Sequence, residues 1–245
     1  MINEYAGPAA VHQALTGKVP WTDSVFVDSI ALLGGYFKKS WYGGGSESYF
    51  TYKFADLYTQ LATGKAALMI TGSWAFTEIR PYFGKAAGND AHWDWAPLPT
   101  FGDGVPDDVY VLAIGADNSI NKKSKHPAEA AAFLDWTLDP KRATAQVAAI
   151  NEALPPIKVA PSDFPSSVDE RLKRFYLALN ATKNVGYATW TSFPPQTGTY
   201  IYQSMDKVIT GKLSPKDFCS GMEKVFQPEL KAGKVPPLAS PHSGS

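Results

Sequence analysis

The chain has 245 residues, enough to bury a sizeable core as one large or two small domains. It carries 23 Lys plus Arg against 23 Asp plus Glu, a formal net charge of zero, with no run of like charges. That balance argues against nucleic acid as a partner, because a broad grip on phosphates requires clustered basic charge. No apolar stretch approaches membrane-spanning length. Cys219 is the sole cysteine, so neither an internal disulfide nor a cysteine-based metal site can be built. Its helical spacing with Met222 and Phe226 marks it as a buried structural thiol. Met1-Ile2-Asn3-Glu4-Tyr5 has neither the basic start nor the apolar stretch of a signal peptide, and taken literally would leave the chain in the cytoplasm.

Residues 9–16 suit a short helix, stopped by Gly17 and Pro20. Thr22 is the expected N-cap of the next helix, in which Phe26, Ile30, Leu33 and Phe37 keep one apolar face as far as about Lys38. Gly43-Gly44-Gly45-Ser46 is a loop set among Trp41, Tyr42, Tyr49 and Phe50, aromatics that serve either packing across the loop or a ligand. Phe54, Leu57, Tyr58 and Leu61 mark another amphipathic helix, ended by Gly64. Ala66 to Ile70 is a short unbroken apolar run, which predicts a buried strand, and Trp74 to Phe83 predicts a helix. Between them Thr71-Gly72-Ser73 turns the chain. A strand end, a glycine turn and a helix start leave backbone N–H groups free for ligand oxygens, and Gly72 lets a ligand approach closely. Trp74 beside them adds a flat apolar face. That combination suits a sugar ring, although Trp74 also suits plain core packing.

Further on, His92 to Pro97 alternates Trp93 and Trp95 with polar neighbours and predicts a half-buried strand, and Val109 to Ile114 predicts a second. Asp107 and Asp108 sit at its entrance and also read as a solvated turn. Pro127 opens a helix with the apolar stripe Ala130, Phe133, Leu134 and Leu138. Asp139-Pro140 starts another, continued through Ala143 to Ile150. Val168 to Leu179 is helical, with Leu172, Phe175, Tyr176 and Leu179 on one side. Gly186 to Gly198 has neither period. Ile201 to Ile209 and Ser214 to Leu230 are helices, the second opened by Ser214-Pro215-x-Asp217 and expected to kink or break at Pro228. Residues 236–245 are rich in proline and serine and are expected to be disordered.

Several of these stretches together resemble the extracellular solute-binding proteins of family 1, the sugar-binding components of bacterial ABC importers. They are AAVHQALTGKVPW (Ala9 to Trp21), GKAALMITGSW (Gly64 to Trp74), WAPLP (Trp95 to Pro99) and LAI (Leu112 to Ile114). SKHPAEAAAFLDW (Ser124 to Trp136), Leu154-Pro155 and VITGK (Val208 to Lys212) complete the set, and the order spans almost the whole chain. The opening part of such proteins, with most of the first lobe's strands, has no counterpart here.

The resemblance implies an incomplete α/β fold of the periplasmic-binding-protein-like type II class. Residues 1–98 would form a first part of the C-terminal lobe, 99–160 a segment returning to the N-terminal lobe, 161–235 further C-terminal-lobe helices and 236–245 the disordered tail. It implies a protein that captures a sugar or oligosaccharide between two lobes and delivers it to ABC transporter permease subunits. Such a protein is a monomer, is not an enzyme, and lies in the periplasm or anchored outside the cell. The implied sugar contacts are Trp74, stacking on the ring; Gly72 and Ser73, donating to hydroxyls; Tyr110 and Trp190, forming further walls; and Glu152, accepting hydroxyl hydrogens.

No cofactor or metal is expected. His12, His92, His126 and His242 include no pair at metal-ligand spacing. Gly44-Gly45-Ser46-Glu47-Ser48 lacks the closing glycine of a nucleophile elbow, and no phosphate loop or dinucleotide turn occurs. Two alternatives stay open: a carbohydrate-active enzyme such as a glycoside hydrolase, which would add an acid pair across the scissile bond, and a non-binding fragment of a larger protein.

Overall fold

The computed structural model describes residues 1–85, 88–115, 118–150 and 157–241. In chain order its first elements are α1 (Ile2–Ala6), α2 (Pro8–Leu15), α3 (Ser24–Lys38), α4 (Phe54–Ala62), α5 (Ala75–Glu78), β1 (Val109–Leu112) and α6 (Pro127–Thr137). There follow α7 (Pro140–Ile150), α8 (Glu170–Ala181), β2 (Asn184–Tyr187), α9 (Thr189–Ser192), α10 (Pro195–Ile209) and α11 (Pro215–Lys231). They form two units, one of Met1–Phe54, Pro97–Ile114 and Thr182–Ser245, the other of Ala55–Ala96 and Gly115–Ala181. No helix among the described residues is long and apolar enough to cross a membrane.

The first unit is built on α3, α10 and α11. Trp21 sits at its centre, with ring centroids 4.9 Å from Phe26, 5.2 Å from Phe193 and 5.9 Å from Phe226. Asp23, one residue beyond the expected Thr22, caps α3 by accepting from the Val25 N–H at 3.1 Å. Ser214 caps α11 as its sequence predicts, accepting from Asp217 N–H at 3.1 Å. Pro228 does not break α11, which runs on to Lys231. A proline inside a helix costs about 3 kcal/mol. Here that cost is offset on both sides of it, by fully buried Phe226, worth about 1.5–3 kcal/mol, and by buried Glu229. The Glu229 carboxylate accepts from Gln196 N–H at 3.0 Å and from the N–H and hydroxyl of Thr197 at 2.8 and 2.9 Å. It thereby caps the start of α10, which has no side-chain cap of its own. Burial raises the Glu229 pKa and those hydrogen bonds lower it, with a net shift below the usual glutamate value. Cys219 is buried, as expected, and burial pushes its thiol up to about 11.

The two strands of this unit pair in parallel, with Val109 opposite Asn184 through to Leu112 opposite Tyr187. The second strand lies partly in the stretch expected to lack any period. Gly186 hides it, because at that point the strand passes so close to the side chains of Asn3 and Val111 that a Cβ has little room. The far edge of β2 is covered. Asn3 exchanges hydrogen bonds with the backbone of Tyr187, accepting at 2.8 Å and donating at 3.1 Å. Val185 N–H donates to Pro241 O at 3.3 Å, and the Tyr187 hydroxyl donates to Ala239 O at 2.6 Å. Residues 239–241 are thus held against the strand, in contrast to the disorder expected of the tail. The aromatics of the glycine loop pack across it: Phe37 lies 5.3 Å from Tyr42 and 5.5 Å from Tyr49, ring to ring.

The second unit has one core around Val147, Phe164, Leu172 and Tyr176, and another around Tyr58, Ala75, Ile79 and Phe83. Ala66 to Ile70 is not a strand here: Leu68 is 84% exposed, and no strand lies beside the run among the described residues. A strand requires a neighbour to take its backbone bonds, and local apolarity does not supply one. His92 to Pro97 is not a strand either, and its bonds explain why. Arg171 donates to Asp90 O at 2.7 Å and Trp93 O at 3.2 Å, and its guanidinium lies 4.0 Å over the Trp93 ring. Trp95 Nε1 in turn donates to Arg171 O at 2.7 Å. Asp169 anchors the arginine at 2.6 Å; the Arg171 hydrogen bond, opposed by burial, holds its carboxyl below the usual range. The helices α7 and α8 follow their predicted starts, with Asp139 accepting from Arg142 N–H at 3.0 Å. None of α6 is fully buried: Ala130 and Leu134 of its expected stripe are half-buried, Phe133 and Leu138 are exposed, and Phe133 and Trp136 stack on each other at 6.1 Å.

Candidate functional site

The glycine turn before α5 is built from beneath by one tyrosine. Tyr58 points inward from α4, buried among Ala75, Ile79 and Phe83. Its hydroxyl donates to Glu78 Oε2 at 2.8 Å and is also bonded to the Thr71 side chain. Burial, then the bond to Glu78, pushes this hydroxyl up to about 12. Thr71 and Glu78 bracket the turn, so a single buried group pins both of its ends. Between them Gly72 O accepts from Ala75 N–H at 3.0 Å, Ser73 O from Phe76 N–H at 3.3 Å and Trp74 O from Thr77 N–H at 3.0 Å. Among the described residues the N–H groups of Gly72, Ser73 and Trp74 have no acceptor. They are the free donors that a helix start leaves.

Trp74 is 45% exposed. Its six-membered ring lies over Gly72, where a Cβ would collide with it. Gly72 is therefore required by the indole itself, and the space expected to admit a ligand to the glycine backbone is filled by that ring. The helix after the turn spans only Ala75–Glu78, shorter than the expected Trp74 to Phe83.

Tyr110 and Trp190 lie in the first unit, both tied to β1. Tyr110 is on the strand, and burial, then the nearby Asp108 charge, raises its hydroxyl above the ordinary tyrosine value. Trp190, on α9, is 56% exposed. Its Nε1 donates to Ile114 O at 3.1 Å, while Thr191 Oγ1 accepts from Ile114 N–H at 2.9 Å. Asp108 accepts from the Thr182 hydroxyl through its backbone oxygen at 2.9 Å, and Asp107 from the Thr100 hydroxyl at 3.1 Å, the bonding of structured turns. Glu152 and Leu154-Pro155 lie outside the described residues.

One concavity of about 200 Å³ lies beside Pro8 and Val105 and another of about 250 Å³ beside Ala66 and Trp93. Neither is lined by Gly72, Ser73, Trp74, Tyr110 or Trp190. Among the described residues no group of three His, Cys, Asp or Glu could hold a metal ion. The supporting role of Tyr58 was hidden in the sequence, where it reads only as part of an apolar helix face.

The sequence profile of the bacterial extracellular solute-binding proteins matches residues 8–144, more than half of the chain. The chain belongs to that family. The matched span contains Gly72, Ser73, Trp74 and Tyr110 but not Trp190. Among solved structures the chain is similar to a chitin oligosaccharide binding protein, at 21% identity and a TM-score of 0.72. That likeness covers 94% of this chain and 55% of the other, so the chain spans little more than half the length of the protein it matches. At this identity the likeness is one of fold, and the family member has the periplasmic-binding-protein-like architecture over part of its extent. No curated protein matches the chain.

Proposed function

We propose that this solute-binding protein captures a carbohydrate, best matched by an oligosaccharide, and delivers it to the permease subunits of an ABC importer. It acts outside the cytoplasm, as a monomer, and by binding rather than by catalysis. The observation that carries this reading is the Gly72-Ser73-Trp74 turn, in which a half-exposed indole lies over Gly72 and stands beside the Ser73 and Trp74 N–H groups, which have no acceptor among the described residues. A pyranose presents the complement: a C–H face for the indole and hydroxyl oxygens for the donors. The buried Tyr58 clamp favours the reading further, because a turn ordered in advance lowers the entropy lost on binding. In the same reading Trp190 and Tyr110 contribute further walls and Glu152 accepts hydroxyl hydrogens. The similarity to a chitin oligosaccharide binding protein makes chitin oligosaccharides the first ligands to try.

The test is native mass spectrometry of the full protein with a panel of oligosaccharides, chitin oligosaccharides included, followed by incubation and product analysis. An intact complex with unchanged ligand supports capture. Cleaved ligand transfers the chain to the carbohydrate-active enzymes, and no complex with any sugar removes the carbohydrate reading.

A further inference from the structure

The aromatics around the glycine loop of the first unit divide into two pairs. Tyr42 and Tyr49 pack on Phe37, whereas Trp41 is 64% and Phe50 68% exposed. The loop that presents the exposed pair is fixed from behind. Ser46 Oγ donates to Ile209 O at 2.6 Å and the Tyr49 hydroxyl to Asp206 at 2.8 Å, both near the end of α10. Gly45 is buried where a Cβ would meet Ser40 and Phe37 O. Ser40, with φ of 56°, is the one residue other than glycine with a positive φ among the described residues, and it turns the chain out of α3. Trp41 N–H then bonds back to Tyr36 O at 2.9 Å, and the two rings lie 5.3 Å apart. Lys39 Nζ stands 4.6 Å over the indole, on an exposed side chain that a ligand can displace. Rings held this firmly but left in water add little to the core.

The chemistry of the loop selects its occupant. From Ser40 to Tyr52 every side chain is aromatic or hydroxylated, apart from three glycines and Glu47. No basic residue in that stretch can hold phosphate or an anionic lipid surface. Rings interleaved with hydroxyls complement a neutral, polyhydroxylated ligand, whose C–H faces lie on the rings and whose hydroxyls bond between them. We infer that Trp41 and Phe50 form a second carbohydrate-contacting surface, which takes neutral glycan chains. It belongs to the first unit, whereas the glycine turn belongs to the second. The inference rests on the carbohydrate reading above but not on Trp74. Anchoring of the loop in advance lowers the entropy lost on binding.

The test titrates the isotope-labelled full protein with short β-linked oligosaccharides of glucose and of N-acetylglucosamine. It is read at the indole N–H resonances of Trp41 and Trp74, assigned by their loss from Trp41→Phe and Trp74→Phe. The expected result is a saturable shift at Trp41 that persists in Trp74→Ala. Phe50→Ala, a change at an exposed position, should raise the dissociation constant read at Trp41 about two- to tenfold. An unchanged constant in that variant contradicts the paired surface. A Trp74 signal that moves while Trp41 stays still overturns this inference and leaves the glycine turn as the sugar site. Two still signals overturn both readings. A Trp41 signal that moves with phosphatidylglycerol vesicles and with no sugar overturns it in favour of a lipid surface.

Discussion

Replacing Tyr58 by Phe keeps the buried ring against Tyr82, 5.4 Å away, and removes only the hydroxyl that clamps the glycine turn. The lost bond is to a carboxylate, and such bonds contribute about 1.5–3 kcal/mol. Glu78 is exposed, however, so its carboxylate regains water, and the net loss of stability is about 1 kcal/mol. The larger consequence is for the site. Thr71 and Glu78 no longer share a fixed point, and ordering even one released backbone residue on binding costs about 1–2 kcal/mol. Sugar affinity should therefore fall by about five- to thirtyfold, although Tyr58 touches no ligand. Urea denaturation and titration calorimetry of the same variant read the two effects. A stability loss near 1 kcal/mol with unchanged affinity would separate the turn from the binding site. No change in either would mean that the hydroxyl clamps nothing.

Gly72→Ala places a methyl group where the Trp74 ring lies, so the indole must swing out. Affinity should weaken as much as it does on deleting the indole, and an unchanged dissociation constant would show that the ring is not held against the glycine in solution. Glu229→Ala leaves the Gln196 N–H and both Thr197 donors without an acceptor, costing about 3 kcal/mol; a loss below about 1 kcal/mol in urea denaturation would refute its role as the cap of α10. The hydroxyls of Tyr49, Tyr58 and Tyr187 are all pushed up to about 12, chiefly by burial. The folded state favours their neutral forms, so their contribution is full below about pH 10 and is lost as pH rises toward 12. Tyrosinate absorbance should appear together with unfolding, and complete titration near pH 10 in a folded protein would contradict their burial.

The legible parts of this fold were those decided by residues a few positions apart. Ser214-Pro215-x-Asp217 and Asp139-Pro140 announce helix starts because a cap acts within one turn, and the structure has both. Cys219, Met222 and Phe226 reveal a buried face for the same reason. Strands depend on distant partners, and there local reading failed. Ala66 to Ile70 has the composition of a strand but no neighbour among the described residues, whereas β2 finds one despite the glycine in it. Arg171, which no local pattern singles out, holds Asp90 and Trp93, roughly eighty positions earlier. Pro228 looked like a break because a local rule could not weigh Glu229 reaching the start of α10. At the candidate site the Gly-Ser-Trp turn was legible, but its support by Tyr58, Thr71 and Glu78 was not.

The central claim is that the Trp74 turn holds a sugar. Calorimetric titration of the full protein and its Trp74→Ala variant with chitin oligosaccharides and other short glycans tests it most directly. Saturable binding by the parent protein, weakened in the variant by at least about 0.5–1.5 kcal/mol, is the expected result. Equal dissociation constants for the two proteins would contradict it, as would the absence of heat from every glycan at millimolar concentration.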